Sequence, residues 1–217
     1  MATVIGVMDR DSFGANTDVI VLADSSAREL LWIPRDLWCE SLGDRVNRAF
    51  ALGGHVGLSV ALAEHGIAGE HSVCLLPAAV GSAFDGLEVE VPVDERIELW
   101  YPLAPQRSIK EGRKRVVFEP PVERLAGERL HQWIGARYGV ARPGSDLERI
   151  RRQQRLVGVL LGTGFDFSRA LRAEGSVSLS SELALEELRE VDPSWRRVTI
   201  DELIPAEVDG KKVLRRL

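Results

Sequence analysis

Apolar residues fall in short, β-branched blocks over the first part of the chain, the pattern of strands buried on one or both faces. Residues 3–8 (TVIGVM) and 19–23 (VIVLA) are two such blocks, separated by the polar, glycine-containing DRDSFGANTD. Residues 29–33 predict the next strand, and the short SSAR link before it predicts a hairpin. Apolar positions then move to helical spacing over 44–52 and 57–65. A strand is expected at 73–76, a short helix at 77–84 and another strand at 87–91. Residues 92–122 are dense in proline and charge; most of this stretch reads as a long functional loop, with one strand at 115–118. Helical spacing returns over 128–137 and, most clearly, over 145–161, where Ser145 is placed to cap and Glu148 completes a capping box. A last amphipathic helix is predicted at 180–190, and 196–217 read as one or two strands with a basic tail. Strands and helices so intermingled predict an α/β fold: a central mixed β-sheet with helices on both faces.

The chain has 217 residues, enough to bury one substantial core. Its 45% hydrophobic and 28% charged residues are ordinary for a globular protein. The sequence as given shows no charged n-region with an apolar h-region and no run of 18 apolar residues. The expected location is cytoplasmic as written, or extracytoplasmic if an anchoring segment has been removed. Cys39 and Cys74 stand far apart among apolar neighbours, which predicts two buried free thiols and excludes a disulfide framework. The histidines show no ligand spacing.

A net charge of −5 conceals an asymmetry: between Arg107 and Arg155 there are thirteen Lys or Arg against six Asp or Glu. A basic segment within an acidic chain points to a local anion site. Aromatics are only 6% and do not interleave with the basic residues, so no nucleic-acid partner is expected. Gly162-Thr163-Gly164 lacks the strand-before-helix setting of a nucleotide fingerprint and reads as a helix terminator. The basic string at 110–115 is either a solvated loop or a contact to substrate phosphate.

Three groups of residues carry candidate chemistry. In LLWIPRDLW a strand-type run ends on a proline and an Arg35-Asp36 pair. Taken alone this is a solvated turn, unless Arg35 faces an anion. Asp9, Asp11 and Asp18 crowd one loop between two strands, which is either hydrophilic surface or the oxygen donor set for a Mg²⁺-assisted phosphate site. On helix 145–161, at about 100° per residue, Asp146, Arg149 and Gln153 share one stripe beside Leu147, Ile150, Val157 and Leu161, and Arg151 points away. That stripe is either an internal ion pair or an anion site.

The ordered strings G-V-x-x-R, T-D-V-I-V-L, I-P-R-D, V-N-R-A-F-A-L-G-G, L-A-G-E-R-L-x-x-W and D-L-E-R-I-R-R-Q-Q resemble the LytR–CpsA–Psr (LCP) family. The resemblance implies an α/β sandwich with an apolar pocket for a polyprenyl chain. It also implies a phosphotransferase that uses Mg²⁺ to move a glycopolymer phosphate from a polyprenyl-pyrophosphate carrier to a cell-wall acceptor. Residues 1–165 would form this core, and 166–217 a helical and strand extension on the same domain. By residue-to-residue matching, Arg35, Arg137 and Arg149 are the catalytic candidates. Arg10, Arg35, Arg137, Asp146, Arg149, Arg152 and Gln153 would bind the diphosphate, and Asp9 and Asp18 the metal. Three positions depart from the family. Its G-x-D-x-R places Met8 where an aspartate is usual, with Asp9 one residue later. Its R-S-D reads Asn16-Thr17-Asp18, and its R-x-R reads Gly135-Ala136-Arg137. Two lost arginines predict a weakened site that arginines at 16 and 135 would repair. The alternatives are a pyrophosphate hydrolase acting on a soluble nucleotide or prenyl diphosphate, and a non-catalytic binder of polyprenyl phosphate.

Overall fold

The computed structural model describes residues 1–103, 111–136, 138–140 and 146–216. Residues Met1–Ala83 and Asp166–Leu217 form one compact unit and Phe84–Phe165 a second. In chain order, the first unit opens with β1 (Ala2–Met8), β2 (Thr17–Asp24) and β3 (Glu29–Ile33). The two-residue strands β4 (Trp38–Cys39) and β5 (Asp44–Arg45) pair before helix α1 (Ala49–Ala63), strand β6 (His71–Leu75) and helix α2 (Pro77–Ala83). The second unit contains β7 (Glu88–Pro92), β8 (Ile97–Pro102), β9 (Arg113–Phe118) and β10 (Val122–Ala126). Helix α3 (Glu128–Gly135), β11 (Tyr138–Gly139) and helix α4 (Asp146–Gly162) complete it. The chain then returns with β12 (Val177–Leu179), α5 (Leu183–Arg189), β13 (Arg196–Thr199), β14 (Leu203–Val208) and β15 (Lys211–Arg216).

The first unit is built on a six-stranded mixed sheet in the order β12-β6-β1-β2-β3-β13. Strand β1 runs antiparallel to β2 and parallel to β6. Alternation along β1 decides what covers each face. Ala2, Val4 and Met8 pack with Phe50, Leu58, Ala61 and Leu62 of α1 on one side. Ile5 and Val7 pack with Ala79 of α2 and Ala184 of α5 on the other. Between them Thr3 donates to the buried Glu187 carboxylate of α5 at 2.6 Å. Helices therefore cover both faces, as the intermingled pattern predicts.

In the second unit β7 pairs with β10, and β8 sits between β9 and β11. Helix α4 packs on β7 and α3, and the rings of Phe118 and Trp133 meet edge-on with centroids 4.9 Å apart.

Four sequence expectations need correction. The helix expected over 44–52 starts only at Ala49. Val46 donates to the Leu37 carbonyl at 2.7 Å and Asn47 to that of Arg35 at 3.2 Å, so this backbone is satisfied by a neighbouring segment and not by a helical turn. The gap expected between two helices is instead a kink inside α1, where Gly54 takes φ 57°. Residues 92–122 are more ordered than a long loop: β8 and β9 pair through six residues each, and their buried Leu99, Tyr101, Val116 and Phe118 alternate beneath charges that hide the period. The part of that loop at 104–110 lies outside the described residues. On α4, Leu147 and Val157 are only half-buried, while Asp146, Arg149, Arg152 and Gln153 are buried beside Ile150, Leu156, Leu160 and Leu161. The buried face is thus turned toward the polar stripe.

Candidate functional site

The first unit brings together the acidic candidates Asp9 and Asp18, and a β-bulge does it. Val7 pairs with Val19 but Met8 pairs with Thr17, so Asp18 is an extra residue on β2 with no partner across the ladder. A bulged residue is re-aimed relative to its strand. Strand β1 ends at Met8, whose side chain is 1% exposed in the core and meets the Thr17 hydroxyl through sulfur at 3.9 Å. Asp9 follows just past the strand end, its amide donating to the Asn16 carbonyl at 2.8 Å. A one-residue shift inside a strand would have put Asp9 on the wrong face. Here the bulge and the strand end release both aspartates from the alternation.

Asp9 and Asp18 are electrostatically close. Burial pushes the Asp9 carboxyl above the usual carboxylate range, the Asp18 charge pushes it further, and Arg10 and Arg35 pull the other way. Arg35 forms an ion pair with Asp18 and is largely enclosed. The turn after Pro34 therefore points its arginine at an acid-lined site. Asp36 faces Arg45 at 3.5 Å, and its carbonyl accepts from Leu214 of β15 at 2.9 Å. Asp11 is spent elsewhere, accepting from the Ala78 amide at the start of α2. The sequence reading missed Arg48, which donates to Asn16 Oδ1 at 3.4 Å. Its only signal was its place inside V-N-R-A-F.

The second unit holds the other group. Asp146 and Arg149 form an ion pair at 2.6 Å with both side chains almost fully buried. Arg152 donates to the carbonyls of Trp133, at 3.1 Å, and Ala136 at the C-terminus of α3, and Gln153 donates to that of Ile134 at 3.2 Å. The Trp133 indole returns a hydrogen bond to the Arg152 carbonyl at 2.9 Å. Burial, with Arg149 nearby, pushes the Arg152 guanidinium down to about 10, so it stays charged at neutral pH. A cavity of about 570 Å³ lies beside this helix, with Arg96, Glu98, Glu148, Arg151 and Arg155 among its walls. Arg137 and Ser145 lie outside the described residues. In the 110–115 string, Arg113 stacks over Trp100, Lys114 pairs with Glu128 and Arg115 with Glu98.

Other reactive-looking groups are inert or structural. Cys39 lies 3.5 Å from the His65 ring, but burial pushes both cysteine thiols up to about 12, so neither is a nucleophile. His55 bridges Ser72 and Ser178 at 2.6 and 2.9 Å, tying α1 to β6 and β12. Among the described residues, no three His, Cys, Asp or Glu side chains group closely enough to hold a metal. Two adjacent carboxylates fit a hard cation that keeps waters or takes further oxygens from a ligand. No helix among the described residues is long and apolar enough to cross a membrane.

The first unit is thus a mixed sheet with helices on both faces that carries Asp9, Asp18 and Arg35 at one strand end. The LytR_cpsA_psr family model matches residues 3–175, and the chain belongs to that family. Similar solved structures include TagT bound to LI-WTA, 19% identical over 99% of this chain and 83% of that one, with a TM-score of 0.68. TagV of Bacillus subtilis is 14% identical over 100% of this chain and 90% of that one, at 0.65. A protein described as a transcriptional regulator from Enterococcus faecalis is 17% identical over 99% and 80%, at 0.66. A comparison with curated proteins gives no match. Family and fold support a cell-wall glycopolymer phosphotransferase in general.

Proposed function

We propose that the chain transfers a glycopolymer phosphate from a polyprenyl-diphosphate carrier to a wall acceptor, outside the cytoplasm, with Mg²⁺ held by Asp9 and Asp18. The observation that carries this is the bulge at Asp18, which sets two carboxylates and Arg35 together at one strand end. When bound, Mg²⁺ would supply positive charge to diphosphate oxygens. The chain's own residues do the rest. The acceptor hydroxyl forms a new bond to the sugar-linked phosphorus, the bond to the polyprenyl phosphate breaks, and the hydroxyl proton leaves with that phosphate or to solvent. Charge grows on the leaving phosphate, and fixed guanidiniums are what such a step needs. Arg35 can turn its N–H groups from Asp18 to a phosphate oxygen once Asp18 has another positive partner. Arg10 lies next to Asp9 in the chain and lowers its pKa, which suits it to the rim of the same anion. The resemblance assigns Arg137, Arg149 and Gln153 to the head group; within the second unit Asp146 pairs with Arg149, and Arg152 seats α4 against α3.

The test is Mg²⁺-dependent release of geranylgeranyl phosphate from geranylgeranyl diphosphate, with and without a wall-glycan acceptor, compared between the wild type and Asp18→Asn. Release that disappears in the variant supports the reading. Release independent of Mg²⁺ sinks it. The neutral residues at Asn16 and Gly135 favour one second reading, a polyprenyl-phosphate binder without turnover. Saturable binding with no release would select it.

Asp9 gives a prediction of its own. Its carboxyl is raised in the folded protein, so the fold holds that proton to higher pH than the unfolded chain does. Its contribution to stability therefore falls as pH rises through and above the ordinary carboxylate range. Asp9→Asn is expected to flatten that part of the melting-temperature profile, raise the Tm slightly at neutral pH, and abolish Mg²⁺-dependent binding of the diphosphate. A Tm profile identical to wild type would show that Asp9 is simply solvated.

A further inference from the structure

The family's arginine before the metal-binding aspartate is Asn16 here, and the structure puts another guanidinium beside that position. Arg48 sits at the foot of α1, on the 3-10 turn Val46–Arg48. Its Nη1 contacts Asn16 Oδ1 at 3.4 Å, a long hydrogen bond. Its Nε is enclosed yet has no hydrogen-bond partner. Among the described residues Arg48 forms no ion pair. Asp44 feels its charge but is itself held by Lys211 at 2.9 Å and by the Arg45 amide. The turn that carries Arg48 is hydrogen-bonded to the segment that carries Arg35, through the Arg35 and Leu37 carbonyls. One piece of backbone thus fixes both guanidiniums, and buried Ala49 and Phe50 anchor it.

A half-buried cation without a counter-ion is costly in a folded protein. Set against Asn16, whose carbonyl holds the Asp9 amide, and on backbone bonded to the segment that carries Arg35, it is disposed to meet an anionic ligand. We infer that Arg48 supplies to the diphosphate the positive charge that Asn16 lacks, while the Asn16 amide oxygen orients it. The inference rests on the proposed function. It also changes what repair at position 16 would do, because an arginine there would face the like charge of Arg48.

The experiment is calorimetric titration of the full chain with geranylgeranyl diphosphate and Mg²⁺. Arg48→Ala and Arg48→Gln should each weaken binding by about tenfold to a hundredfold, the usual range for a lost charged hydrogen bond. Their Tm should stay at or above wild type, since no ion pair is broken. Asn16→Arg alone should not tighten binding. Asn16→Arg combined with Arg48→Ala should return it to within about threefold of wild type, the two changes coupling because the sites touch. If Arg48→Ala and Arg48→Gln bind like wild type while Arg35→Ala does not, the inference is wrong and the site reading stands. Tighter binding by Asn16→Arg alone would also overturn it. If the wild type shows no binding, the site reading fails and takes this inference with it.

Discussion

Arg35→Ala is expected to weaken binding of a prenyl diphosphate by about 2–4 kcal/mol, the loss typical of a desolvated, charge-assisted contact. At roughly 1.4 kcal/mol per factor of ten, that is a thirtyfold to nearly thousandfold change in affinity. The size follows from placement. The Arg35 side chain is only 14% exposed, so its N–H groups act in a medium that screens them poorly. Stability should fall by only about 1–2 kcal/mol, between the values for exposed and buried pairs, because Asp18 is 24% exposed and regains some water. Arg35→Lys keeps the charge without the bidentate fork and should recover only part of the affinity. Calorimetry and thermal melts on the three proteins separate the cases. Unchanged affinity with a large drop in Tm would mean that Arg35 exists to pair with Asp18 and hold the turn after Pro34.

How far the sequence revealed this site depends on the range of the interactions involved. Buried strands 3–8, 19–23 and 29–33 were legible because alternation is local, and the observed strands β1, β2 and β3 contain them. Family membership was legible because several weak strings stand in one order. The resemblance placed Arg35 at the diphosphate, and its ion pair with Asp18 was not expected. The bulge at Asp18 was not legible, since it is a register shift between two strands and neither strand's own sequence marks it. Arg48 was missed for a related reason: it reaches Asn16 across a sequence separation of 32, and the local pattern there predicted a helix. Strand β8 was hidden by a glutamate and a proline, Glu98 and Pro102, that sit on its less buried positions. On α4 the wheel identified the stripe of Asp146, Arg149 and Gln153 but assigned the core to the side next to it. What buries that stripe, the C-terminal turn of α3, is a tertiary partner that no helical period can indicate.

That partner sets the second large effect. Arg152→Met is expected to destabilise the protein by about 2–4 kcal/mol, although the substitution keeps most of the buried volume. Two opposing terms decide the sign. In favour of the variant, a buried cation is removed from beside Arg149, and buried charges often lose to apolar groups of similar size. Against it, the carbonyls of Trp133 and Ala136 lose their donor while still enclosed, at about 1–3 kcal/mol each. The C-terminus of α3 also loses the cation that complements its dipole, for up to about 1 kcal/mol more. The second set is larger because Arg152 is only 5% exposed, which leaves little room for water to take over its hydrogen bonds. Trp133 is fully buried and bonded to the Arg152 carbonyl, so any shift of α4 is transmitted to the ring contact with Phe118. Chemical denaturation gives the stability change, and titration with geranylgeranyl diphosphate well below the midpoint gives the affinity. A less stable variant that binds within about threefold of wild type would place Arg152 in the seam between α3 and α4. A variant of native stability that binds the diphosphate more than tenfold worse would show that the guanidinium faces the ligand, and that Gln153 and Trp133 hold the seam without it.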